Sequence, residues 1–169
     1  MAVALRDFQK ALAIDESGSE EDSLRTSLFA NAMSMLIGVN AGIVRNELSS
    51  PDDFNRFRSQ VASLMSRSSR SLFSYLYMSM DYAIRARVDG WHEPCVRRSA
   101  IQLLIDDYPP SAEVFDSEDR ETVEEMDEWL RDRAPDIAPL PSRLIPEGIP
   151  SSHWWWRLPS AEPDTTNQP

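Results

Sequence analysis

Between Arg25 and Arg45 the chain runs through nineteen residues without a charge, TSLFANAMSMLIGVNAGIV, and this stretch limits the fold more than any other. Its length approaches that of a membrane span. It also carries Thr26, Ser27, Asn31, Ser34 and Asn40, side chains that are expensive in lipid without partners. A helix apolar around most of its circumference suits the centre of a bundle, where neighbours cover it on several sides. The reading is therefore a central buried helix and no membrane. Gly38 and Gly42 make a GxxxG pattern within it, which points to close packing of helices.

Helical spacing recurs along the rest of the chain, whereas strand-like alternation never persists beyond a few residues. Leu5, Phe8 and Leu12 mark a short first helix, which DESGSEED breaks with Gly18 and serines. The second starts near Ser19 or Ser23, where Glu20, Glu21 and Asp22 favour its positive end, and runs to about Leu48. SSPDD is a strong start signal, with Ser50 as cap, Pro51 in the first helical position and Asp52 and Asp53 behind it. Phe54, Phe57, Val61, Leu64 and Met65 form one inward stripe; Leu72, Phe73, Leu76, Tyr77, Met80 and Ile84 form a second. SRSSRS lies between them, and its serines favour a break over one long helix across 51–88. DGWHEP ends that element, and Pro94 opens a helix over 93–107 with Val96, Ala100, Leu103 and Leu104 inward. A last helix, 117–133, has Val123, Met126, Trp129 and Leu130 on one narrow face and acids elsewhere, as an edge helix would.

From Pro135 onward lie eight of the twelve prolines, which disfavours both helix and sheet. The fold class is thus an all-α single bundle of about five to six helices over 1–134, with a proline-rich extended arm over 135–169. The closing SAEPDTTNQP reads as disordered.

The arm contains HWWWRLP. A fully exposed triple tryptophan would be an aggregation liability, so some surface must cover it. Self-packing onto the bundle is favoured, with part of Trp154, Trp155, Trp156 and Arg157 left to anchor a partner, because three adjacent rings on an extended chain point different ways.

A net charge of −11 disfavours general affinity for nucleic acid or anionic lipid. The charge is segregated: net −5 over residues 1–53, +5 over 54–105 and −10 over 106–136. The segment Phe54 to Met80 holds no acid, and Arg56, Arg67 and Arg70 in it could steer or pair with a partner. Their expected complement is the acidic last helix, within the chain or between subunits. Sixteen arginines against one lysine suggest GC-rich coding of a bacterial kind, which bears on source and not on mechanism.

Enzyme signatures are weak. His92 and Cys95 sit three apart with His153 distant, short of the paired ligands of a zinc motif, so Cys95 reads as a small buried hydrophobe and no metal or cofactor is assigned. Glu121, Glu124, Glu125 and Glu128 share a helix face, but a Mg²⁺ site would need facing carboxylates from a second helix, and no second cluster of that quality appears. There is no glycine-rich phosphate loop and no nucleophile elbow. With a single cysteine and no signal-like start, a reducing, cytoplasmic setting fits. The function expected is a small non-enzymatic protein-binding or regulatory protein, of the adaptor, inhibitor or immunity type, acting on another protein or self-associating. The alternatives are a metal-dependent all-α hydrolase on the carboxylate helix and a nucleic-acid-associated protein on the arginine helix.

Overall fold

A computed structural model describes residues 1–18, 21–45, 50–108 and 113–158, the side chains of residues 88 and 89 excepted. The order is α1 Ala2–Ser17, α2 Asp22–Val44, α3 Pro51–Met65, α4 Ser69–Ile84, α5 Ala86–Asp89, α6 His92–Asp107 and α7 Ser117–Arg133. Three 3₁₀ turns follow, Ala134–Asp136, Ser142–Leu144 and Trp154–Arg157, and no strand occurs among the described residues. The protein is an all-α bundle with a C-terminal arm. The expected extension of α2 to Leu48, and the disorder expected of SAEPDTTNQP, fall outside the described residues.

The uncharged run forms α2, which α1, α4 and α6 cover. It is long and apolar enough to cross a membrane by length and composition, and in this fold it buries Phe29, Ala32, Met33, Leu36 and Ile37 against its neighbours. An aromatic line crosses three helices, with Phe8 edge-on to Phe29 at 5.5 Å and Phe29 5.8 Å from Tyr75. Such pairs add about 0.5–1.5 kcal/mol each to the burial itself. The GxxxG reading fails at Gly38, where an added Cβ would meet nothing within 4 Å.

Local signals set several helix ends. Gly18 stops α1 in the left-handed region at φ 64°. Ser50 caps α3, its Oγ accepting from the Asp53 N–H at 3.2 Å. The 51–88 stretch divides into α3, α4 and the short α5. At the first joint Ser68 is buried and its hydroxyl donates to the Leu64 carbonyl at 2.8 Å, the local competition that a serine run invites. Asp116 and Asp119 start α7 with a reciprocal capping box.

The second stripe needs a correction. On α4 the buried side chains are Ser71, Leu72, Tyr75, Leu76, Ser79 and Ala83, whereas Phe73 and Tyr77 are 61% and 70% exposed. Small residues face inward because α2, α6 and α7 all crowd this helix, and hydrophobicity alone could not reveal that preference.

After α7 the chain folds back. Glu147 reaches Arg45 at 3.4 Å, and Gly148, at φ 76°, leaves so little room that a Cβ would lie 3.0 Å from Val44. Ile149, Trp155 and Trp156 then join the same hydrophobic core as the helices.

Candidate functional site

The arm is seated by a single serine on α6. Ser99 is fully buried, and its Oγ accepts from the indole N–H of Trp155 at 2.9 Å and of Trp156 at 2.7 Å. His153 Nδ1 lies 3.1 Å from the same oxygen. A hydroxyl has two lone pairs and one proton. The indoles take both lone pairs, so the proton goes to Nδ1 and the network assigns the Nε2–H tautomer to His153. That ring is buried, and Nε2 has no hydrogen-bond partner among the described residues. Burial, followed by the nearby Arg98 charge, lowers its pKa to about 4, so the ring is neutral at pH 7.

Neighbouring groups close the seat. The Trp155 carbonyl accepts from Trp91 Nε1 at 2.9 Å and from the Cys95 thiol at 3.4 Å. Cys95 is fully buried, and that burial pushes its thiol pKa well up, away from any reactive thiolate. Arg98 lies 4.4 Å over the Trp155 ring. Its Nε and Nη2 hold the two oxygens of Asp127 at 2.7 and 3.0 Å, tying α6 to α7 beneath the arm. Trp155 and Trp156 are thereby spent on this chain's own groove. Trp154 stays half-buried under Arg131 at 4.5 Å, and Arg157 is exposed.

The three arginines singled out from the sequence do not meet the acidic last helix. Arg56 bonds Asp53 on its own helix at 3.2 Å, Arg67 pairs with Glu16, and Arg70 pairs with Asp22 at 2.7 Å. The complement of Arg67 and Arg70 is α1 and the start of α2, against which α4 lies. Beneath them sits an ion cluster the sequence concealed. Arg25 is 3% exposed; it faces Asp15 at 3.3 Å and bonds the hydroxyls of Ser71 and Ser74 at 3.1 and 3.2 Å.

On α7, Glu121, Glu124, Glu125 and Glu128 are all exposed. Among the described residues no group of three or more His, Cys, Asp and Glu side chains converges as metal ligands would. His92 is exposed, and its ring stands T-shaped to that of Trp156, the centroids 5.6 Å apart.

The open aromatic surface lies elsewhere. Phe73 and Tyr77, one turn apart on α4, line a groove of about 110 Å³ with Leu76, Asp116, Glu118, Asp119 and Thr122. Partial burial, with the charges of Asp116 and Glu118, raises the Asp119 pKa, and its bond to the Asp116 N–H only partly offsets this. Elsewhere in the protein, arginine covers the aromatic rings that reach the surface: Arg58 over Phe54 at 5.5 Å, Arg97 over Tyr82 at 4.3 Å, Arg131 over Trp154 at 4.5 Å and Arg133 over Trp129 at 4.6 Å. Phe73 and Tyr77 carry no such cover among the described residues. Compared with known proteins, the chain matches no family model, no curated protein and no solved structure.

Proposed function

We propose that this protein is a small non-enzymatic binding module, of the adaptor, inhibitor or immunity type, that docks another protein on the face shared by α4 and the start of α7. The observation that carries this reading is the exposed pair Phe73 and Tyr77 beside the carboxylates of Asp116, Glu118 and Asp119. Aromatic faces next to carboxylates attract a guanidinium or ammonium group twice, through the ring quadrupole and through charge. The matching partner is therefore a basic segment with apolar neighbours. Covering two such rings contributes about 1.5–3 kcal/mol each, enough for a hot spot at the centre of a modest interface. Crowding among the three carboxylates adds to the preference for a cation. The arm supports this face indirectly, by fixing α6 and, through Arg98 and Asp127, α7.

The test uses a photoreactive side chain at position 77 in native lysate, with the same group at exposed Ser59 on α3 as control. Crosslinking of one protein from position 77 alone, through a basic segment, and its loss in Phe73→Ser with unchanged circular dichroism, is the expected result. Equal labelling from both positions, or a crosslinked segment without basic residues, would sink the proposal.

A further inference from the structure

A second groove, of about 560 Å³, runs along the polar side of α2 between Met78 of α4 and Arg97 of α6. That volume falls within the usual range for small-molecule sites, roughly 300–1,000 Å³. Ser23, Thr26, Ser27 and Asn31 line one wall. Arg97 is the buried member of the lining, 6% exposed, and so forms its floor.

The guanidinium of Arg97 is held on several sides. Its carbon lies 4.3 Å from the Tyr82 ring and 5.2 Å from the Tyr75 ring, and Nε donates to Glu93 at 2.8 Å. Nη1 is buried and has no hydrogen-bond partner among the described residues. An orphaned donor on a buried cation is costly, more so than on a neutral group. One carboxylate, Asp22, is itself part of the lining and is engaged with Arg70 at 2.7 Å and Arg25 at 3.4 Å, while Glu93 is engaged with Arg97. The wall offers hydroxyl and amide groups that can donate, and it brings no further carboxylate. The site is thus rich in donors around one fixed guanidinium whose rings prevent it from swinging to another partner.

We infer that the groove on α2 binds a small oxyanionic ligand, a phosphate or carboxylate group, with Arg97 as its charged anchor and Ser27 and Asn31 on the rim. This inference stands apart from the α4–α7 face and uses none of its residues. The overall negative charge acts at long range and is screened beyond about 10 Å at 0.1 M salt, so the guanidinium at the floor decides.

The experiment is an amide NMR titration of the full chain with sodium phosphate, sodium acetate and sodium chloride at matched ionic strength. Saturable shifts at Ser23, Ser27 and Asn31 with phosphate or acetate, and none with chloride, are expected; the stronger of the two tells which oxyanion the site prefers. Arg97→Lys keeps the charge but changes the donor geometry, and it is expected to weaken binding by tenfold or more. Should that variant fail to fold, Asn31→Leu and Ser27→Leu, both at exposed positions, carry the test by blocking the rim with the same loss. Shifts that do not saturate, that appear equally with chloride, or that persist undiminished in the rim variants overturn the inference.

Discussion

Replacing Ser99 by alanine removes one oxygen and strips three buried groups of their partner. The two indole N–H groups lose the acceptor they share, and His153 Nδ1 loses its donor. A buried polar group left unsatisfied costs about 1–3 kcal/mol. The three losses are not independent, since the rings relax together, and alanine returns about 0.5 kcal/mol of helix propensity. The net destabilisation expected is about 3–5 kcal/mol, larger than almost any single surface change. For a chain of this size each kcal/mol lowers Tm by roughly 2–4 °C, so the midpoint falls by roughly 10 °C. Urea unfolding followed by tryptophan fluorescence measures the free-energy loss and a thermal melt by far-ultraviolet circular dichroism the midpoint, with exposed Ser152→Ala as a control within ±0.5 kcal/mol. A loss below about 1 kcal/mol in Ser99→Ala, with unshifted indole N–H resonances for Trp155 and Trp156, would refute the shared-acceptor geometry.

His153 makes the protein acid-sensitive in a defined window. Its pKa is about 4 in the folded state against about 6.5 unfolded. Between those values the unfolded chain binds the extra proton, so stability falls as pH drops from about 6.5 toward 4, by about 3 kcal/mol, and is fully present above. Urea midpoints across pH 4–7 are expected to flatten in His153→Gln relative to wild type; Asp107 and Asp119, whose raised pKa values act in the opposite sense, are common to both proteins and cancel. Two glycine substitutions separate backbone strain from helix propensity. Gly148→Ala, at φ 76° with Val44 3.0 Å from the new Cβ, is expected to cost about 1–2 kcal/mol, whereas Gly38→Ala, with open space around it, is expected to stabilise by about 0.5–1 kcal/mol. Equal effects of the two in thermal melts would count against the turn geometry.

By itself the sequence determined what depends on neighbours in the chain. The uncharged run had to be covered and became α2. Ser50 with Pro51, and Gly18, act within one helical turn and placed their helix ends. The bulk of the tryptophan triplet demanded a groove.

Tertiary structure alone decided which surfaces face each other. Phe73 and Leu72 are equally apolar neighbours on α4, yet one is exposed and the other buried, because the direction from which α2, α6 and α7 approach selects the face. Arg67 and Arg70 answer acids 51 and 48 residues away, where the denser run of acids on α7 would have served as well by charge. Ser99, an ordinary helix serine in the sequence, becomes the shared acceptor for the arm only once residues 54–57 positions downstream fold back upon it. Charge and hydrophobicity are written residue by residue, whereas hydrogen bonds and grooves depend on directions in space, and those are set by the packing of the helices.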